Sequence, residues 1–236
     1  MWKRSQLKFA AKSDLRGFYW LSFAVCLVAN ILSGGIGGGI NYNLGGDSDS
    51  LVSNPISPFF IVFVFIVSLI ILVFSLAFSV FISNPIIVGK SRFFVHINEN
   101  DRNFATLFSA FKKGSYISVV KAMFFTYLFI FLWTLLLIIP GIIKSYSYRM
   151  APYILSENPN LHYEEALSIS RQMTDGEKLK MFILDLSFIG WFILGFLALI
   201  VGILFVLPYY EATWAQFYLN MRNKINPEVQ SEEAVQ

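Results

Sequence analysis

A few ionisable side chains in this sequence lie within or beside long apolar runs, and they are its strongest candidates for chemistry. Asp185 lies in the run FILDLSFIGW, five residues after Lys180. A charged group at the centre of a membrane-spanning helix costs, on some scales, about 2.5–3.5 kcal/mol, so such a group needs a partner or a polar cavity. The candidate partners lie near the ends or proline breaks of other apolar runs: Lys121, Lys144, Arg149 and Glu211.

This set of charges permits two interpretations. In the functional one, Asp185 pairs with Lys121, Lys144 or Arg149, and the buried polar cluster lines a site for a lipid headgroup, an ion or a solute. In the structural one, the cations extend to the headgroups while Asp185 caps or braces a pair of helices. Variants Asp185→Asn and Asp185→Leu distinguish them: loss of activity with normal folding supports a site, and loss of the folded protein supports bracing.

The motifs of common catalytic sites do not occur in this sequence, which has no HExxH, no G-x-S-x-G and no CxxC. His96 and His162 lie among charged neighbours, and two scattered histidines are too few for a metal site. Cys26 lies in an apolar run, where a small buried side chain is the ordinary interpretation. We therefore expect no catalytic residue, no metal, no cofactor and no enzymatic activity.

Aromatic residues accumulate near the ends of the apolar runs. Tyrosine and tryptophan are enriched where a membrane meets water, because their rings are amphipathic. This pattern predicts an interfacial belt that contains Tyr146, Tyr148, Trp191, Trp214 and Tyr218.

The composition of the chain indicates an integral membrane protein. Of its 236 residues 56% are hydrophobic and 14% are charged, whereas globular domains have about 25% charged residues. The net charge of +3 is too small to indicate a nucleic-acid partner. Membrane lipids and another membrane protein are the expected partners.

The distribution of positive charge predicts the orientation. Five Lys and Arg residues precede the first apolar run, whereas the following loop, about 34–55, has Asp47 and Asp49 and no Lys or Arg. The positive-inside rule therefore places the N-terminus in the cytoplasm. The glycines of this loop permit two interpretations, a flexible outer loop or a GxxxG helix contact through Gly34 and Gly38 or Gly35 and Gly39.

Apolar periodicity predicts an all-α fold. Long apolar runs occur at about 17–33, 56–82, 116–143 and 181–207, with prolines or glycine marking helix breaks at Pro85, Pro140, Gly141 and Pro208. Two short amphipathic helices are predicted on the cytoplasmic membrane face, one at 104–111 and one at 161–173 with Asn160 as N-cap.

The last two thirds of the chain contain a repeat. A shift of 68 residues places Pro208 on Pro140, Thr213 on Ser145 and Trp214 on Tyr146, and a looser copy precedes them. We expect one membrane domain, 1–225, with pseudo-repeats at about 1–97, 98–158 and 159–225, and a cytoplasmic polar tail, 226–236. Units that begin and end in the cytoplasm make three hairpins and about six transmembrane helices. Hydropathy alone gives five, with the tail outside.

The runs IIPGI at 138–142, SFIGW at 187–191 and PYYEATWAQFY at 208–218 resemble domain of unknown function 975. The layout is also distantly similar to the membrane portion attached to some glycerophosphodiester phosphodiesterases. The resemblance implies a bacterial plasma-membrane protein and supplies no catalytic residue. The favoured function is a non-catalytic membrane module that binds lipid or a membrane partner. The alternative is a small transporter or permease for a solute, an ion or a lipid, and an intramembrane enzyme comes third.

Overall fold

The computed structural model describes residues 3–15, 19–32, 58–97, 103–112, 114–197 and 201–225, and every regular element in these ranges is helical. The predicted all-α class is confirmed. The glycine-rich loop and the tail 226–236 lie outside the described residues. The α-helices are α1 Arg4–Asp14, α2 Tyr19–Leu32, α3 Pro58–Phe78, α4 Asn84–Val95, α5 Tyr116–Leu136, α6 Ile138–Ser147, α7 Ala151–Glu157, α8 Tyr163–Thr174, α9 Lys178–Leu197 and α10 Val201–Ile225.

Helices α3 and α4 form one long helical element, joined by a π-helical segment, Ser79–Ser83. The predicted break at Pro85 is wrong, because this residue lies in the first turn of α4 and the helical element continues through it. The π segment immediately before Pro85 already interrupts the α-helical hydrogen-bond pattern. The missing N–H of the proline therefore removes little further backbone hydrogen bonding from the helix. None of the described side chains of α3 is buried.

Helices α5 and α6 form a tight hairpin. A single residue in extended conformation, Leu137, separates them, with φ −156° and ψ 137°. Pro140 therefore lies in the first turn of α6, where its missing N–H would have had no partner within the helix. Gly141 permits the close approach, since a Cβ atom there would lie 2.6 Å from the Cα of Thr134.

Helices α9 and α10 form a second hairpin, in which Gly195 packs against Gly202. The predicted break at Pro208 is wrong, because α10 runs unbroken from Val201 to Ile225 with Pro208 inside it. Helix α10 is also the centre of the packed part of the molecule, since α1, α2, α4, α8 and α9 all contact it. Such extensive packing can hold a helix together where proline removes one backbone bond.

The two short amphipathic segments differ in detail from the predictions. Phe104–Phe111 is a 3-10 helix whose cap is Asn103, and its Leu107 packs against Gly89 of α4 instead of facing outward with Phe108 and Phe111. Helix α8 begins at Tyr163, and its N-cap residue is His162, so the predicted cap is wrong.

Among the residues that the structure describes, three helical segments are long and apolar enough to cross a membrane: Val62–Val95, Tyr116–Leu136 and Lys178–Leu197. Each leaves most of its apolar window uncovered by protein. The buried core includes much of the C-terminal half of α10: Ala212, Trp214, Ala215, Phe217, Tyr218 and Met221.

Candidate functional site

Asp185 of α9 is the centre of the main polar cluster. Its Oδ2 accepts hydrogen bonds from the Tyr146 hydroxyl at 2.8 Å and from Arg149 Nη1 at 3.2 Å. Its Oδ1 accepts from the Tyr210 hydroxyl at 2.8 Å and from Arg149 Nη2 at 3.4 Å. The carboxylate thus receives both arms of the guanidinium and two phenols, an arrangement that satisfies its acceptor sites.

Arg149 lies in the turn between α6 and α7 and is held on a second side by α10. The centre of its guanidinium is 3.8 Å from the centroid of the Trp214 ring, and it also donates to the Tyr210 hydroxyl. We call Tyr146, Arg149, Asp185, Tyr210 and Trp214 the Arg149 cluster. It connects the α5–α6 hairpin to the α9–α10 hairpin.

The Arg149 cluster is partly accessible from outside the protein. The side chain of Arg149 is 29% exposed and that of Asp185 is 21% exposed. The Trp214 ring is buried, and its Nε1 has no hydrogen-bond partner within the described ranges of the chain. The cluster can therefore brace two hairpins, and one edge of its ion pair can meet a polar group from outside.

The other charged residues of the predicted cluster lie elsewhere, so that prediction was wrong for Lys121, Lys144 and Glu211. Lys121 lines an apolar groove with Leu76 and Phe81. Lys144 lies beside the rings of Trp133 and Tyr148, with its Nζ 5.0 Å and 6.0 Å from their centroids. Side chains on α5 and α6 project from different sides of the hairpin, which the linear order of the residues does not reveal.

Glu211 forms its ion pair with Lys90 of α4, at 2.7 Å. Sequence reasoning did not single out Lys90 and so did not predict this contact. A signal existed, because a carboxylate in the apolar and aromatic run around 208–218 requires a partner. The sequence contains several candidate cations, and only the contact between α4 and α10 selects one.

A third pair lies near the end of α10. Glu157 of α7 accepts from Arg222 and, at 2.5 Å through Oε2, from the Tyr218 hydroxyl. Tyr218 is buried and stacks on Tyr153 with 5.5 Å between ring centroids. Sequence reasoning did not single out Glu157 or Arg222.

The predicted aromatic belt is wrong for three of its members, since Tyr148, Trp214 and Tyr218 are buried in the protein. Tyr146 donates a hydrogen bond to Asp185, and Trp191 is exposed. Tyrosine and tryptophan combine a large apolar surface with one polar group, so they suit a buried charged pair as well as a membrane interface.

A cavity of about 590 Å³ lies between α5, α6 and α8, and we call it the Lys144 pocket. Lys144 and Arg171 line it together with one carboxylate, Glu164. The hydroxyl of Tyr163 donates to Glu164 Oε1 at 3.0 Å, and this hydrogen bond raises the pKa of Tyr163. The other walls of the pocket include Phe129, Trp133 and Tyr148.

Within the described part of the chain, no three His, Cys, Asp or Glu side chains come together to hold a metal ion. His96 and His162 instead lie at helix ends, as the C-cap of α4 and the N-cap of α8. Cys26 is buried among apolar side chains of the core.

These features define an all-helical protein with paired charges in its interior and helices apolar enough to cross a membrane. Residues 51–225 match the family described as protein of unknown function DUF975, and the chain belongs to this family. Neither the search of curated proteins nor the search of solved structures found a match. The likeness to the membrane portion of glycerophosphodiester phosphodiesterases stays a prediction.

Proposed function

We propose that the protein is an integral membrane protein that binds lipid or a membrane partner and catalyses no reaction. The observation that carries this proposal is α3, whose 21 residues include no charged side chain. Its described side chains are exposed, apart from the half-buried Phe78 at the end of the helix. In water so large an apolar surface would drive aggregation, whereas lipid tails solvate it without penalty.

We further propose three helical hairpins in a bacterial plasma membrane, each entering and leaving through the cytoplasmic face, with both ends in the cytoplasm. The return helix α6 has 10 residues, about 15 Å of helix, so we propose that the turn of the α5–α6 hairpin lies within the membrane and does not complete two of the six predicted crossings. The positions of two glycines support this arrangement. Gly114, with φ +105°, precedes α5 by two residues, and Gly176, with φ +70°, precedes α9 by two residues. Each follows a short helix and introduces a helical hairpin. Gly17, the corresponding glycine before α2, lies outside the described residues.

The pairing of interior charges supports a non-catalytic role. Asp185, Glu211 and Glu157 each form an ion pair with an arginine or lysine of another segment. A catalytic acid or base must reach a substrate, whereas the oxygens of these three carboxylates already contact cations of the protein itself. These carboxylates therefore fit a bracing role better than a catalytic one.

Topology reporters test the crossings, and detergent extraction tests the membrane assignment. Reporters active on one face only, fused separately to the two ends, should report the same, cytoplasmic, face. Opposite faces would overturn the hairpin arrangement. The protein should require detergent for extraction and carry phospholipid through purification, so a protein released by salt alone would overturn the proposed membrane role.

A small transporter is the second candidate, favoured by the partial exposure of the Arg149–Asp185 pair. Intramembrane ion pairs often mark solute or proton pathways. Flux of protons and small ions into proteoliposomes should then exceed that of empty vesicles and be lost in Asp185→Asn. Equal flux for wild type, variant and empty vesicles would eliminate this candidate for those ions.

A further inference from the structure

We propose that the Lys144 pocket binds the headgroup of a phospholipid that carries both a phosphate and a primary amine. This inference rests on the membrane role proposed above and assigns a site and a lipid class to it. The pocket, of about 590 Å³, is large enough for such a headgroup and opens to the outside.

The two cations of the pocket supply the phosphate contact. Among the described residues no carboxylate lies within ion-pair distance of Lys144 or Arg171. This distinguishes them from Arg149, Lys90 and Arg222, whose charges are neutralised inside the protein. Arginine binds phosphate oxygens in a bidentate manner and lysine acts as a point charge, so together they suit a phosphodiester.

The carboxylate of Glu164 supplies the amine contact. Glu164 lines the same pocket, and its known partner, the Tyr163 hydroxyl, occupies only Oε1. The rings of Trp133 and Tyr148 already bind the Lys144 ammonium, which leaves Glu164 as the group that faces the lipid amine. A headgroup with a phosphate alone would place its negative charge beside Glu164 without a compensating amine.

The position of the pocket favours a lipid over a soluble molecule of the same chemistry. Lys144 is the first charged residue after the apolar run of the hairpin, and exposed apolar side chains precede it: Leu135, Leu136, Leu137, Ile138, Ile139, Ile142 and Ile143. Helix α8 carries the polar wall of the pocket. Acyl chains can therefore lie along the hairpin while the headgroup contacts α8.

Native mass spectrometry of the purified full chain, titrated with phosphatidylethanolamine or phosphatidylglycerol, tests the inference. The wild type should prefer phosphatidylethanolamine. Replacing Lys144 and Arg171 together by alanine should weaken binding of both lipids about tenfold or more, since it removes both charge-assisted contacts to the phosphate. Glu164→Gln should remove the preference while retaining phosphatidylglycerol binding.

Lys121→Ala provides the matched control, because this lysine lies on the same hairpin but lines a different groove. Its lipid binding should equal that of the wild type. Thermal unfolding in detergent monitors the fold of each variant. If the double alanine variant does not fold, Glu164→Gln decides alone, since it preserves the shape of the side chain.

The outcomes separate this inference from the proposed function. A wild type that retains no lipid contradicts the membrane-binding role itself. A wild type that binds both lipids equally, or an unchanged preference in Glu164→Gln, overturns the headgroup assignment and leaves the membrane role standing. Displacement of the lipid by an equal concentration of free phosphoethanolamine would identify a solute site and overturn the assignment to a lipid.

Discussion

Helices α3 and α10 show opposite relations between polarity and burial. Helix α3 has no charged residue, and none of its described side chains is buried, whereas α10 carries Glu211, Arg222 and Lys224 and lies at the centre of the packed core. The comparison teaches that polar residues mark contacts between helices in this chain, and uniform apolar sequence marks exposed surface. Lipid tails solvate apolar groups as well as protein does, but charges require partners at fixed positions.

A matched pair of phenylalanines gives the largest expected contrast between these two helices. Phe217 of α10 is 0% exposed and Phe65 of α3 is 66% exposed. Phe217→Ala should lower the free energy of unfolding by about 3–5 kcal/mol, because it leaves a cavity in the core. Phe65→Ala should change it little, since under the proposed membrane placement this side chain contacts lipid in both the folded and the unfolded state. Denaturant titration in mixed micelles compares them, and equal losses would contradict the lipid-facing assignment of α3.

The Lys90–Glu211 pair tests the polar side of the comparison. Glu211→Gln leaves the largely buried charge of Lys90 uncompensated and should cost about 3 kcal/mol. The double variant Lys90→Met with Glu211→Leu removes both charges, so much of the loss should be recovered. A double variant that is less stable than Glu211→Gln would show that the pair itself contributes the stability.

Arg149→Lys tests the geometry of the cluster that joins the two hairpins. Lysine keeps the positive charge but cannot reach both oxygens of Asp185 and stack on Trp214, so we expect a loss of about 1–2 kcal/mol. The fluorescence of Trp214 should change as well, though other tryptophans contribute to the total signal. Comparing the fluorescence of Arg149→Lys with and without Trp214→Phe isolates the signal of Trp214. If Arg149→Lys is as stable as the wild type, the stacking role is contradicted.

Substitutions at two glycines outside α3 and α10 should change the free energy of unfolding least. Gly114 tests a strained position, and Gly190 provides the baseline. Gly114→Ala should cost about 1–2 kcal/mol, because φ +105° is unfavourable for a residue with a side chain. Gly190 lies inside α9 with open space around it, so Gly190→Ala should be neutral or stabilise by up to about 1 kcal/mol. Thermal unfolding measures both, and equal destabilisation would show that the gain at Gly190 is offset by a contact.

Much of the helical layout was predictable because hydrophobic runs and short amphipathic segments are local properties. The apolar runs at 116–143 and 181–207 correspond to α5 with α6 and to α9 with α10. The break in the first of them occurs at Leu137, three residues before the proline that was expected to cause it. A proline is compatible with both the first turn and the interior of a helix, so its position alone does not determine where the chain turns.

By itself, the amino-acid sequence determined the helical class, the apolar character of the long helices and the need of Asp185 for a partner. These follow from side-chain chemistry and from periodicity over neighbouring residues. Only the tertiary structure decided that Arg149 is that partner, that Lys90 meets Glu211, and that Trp214 lies beneath a guanidinium. Such contacts join residues far apart in the chain, and they depend on which faces of the helices pack together.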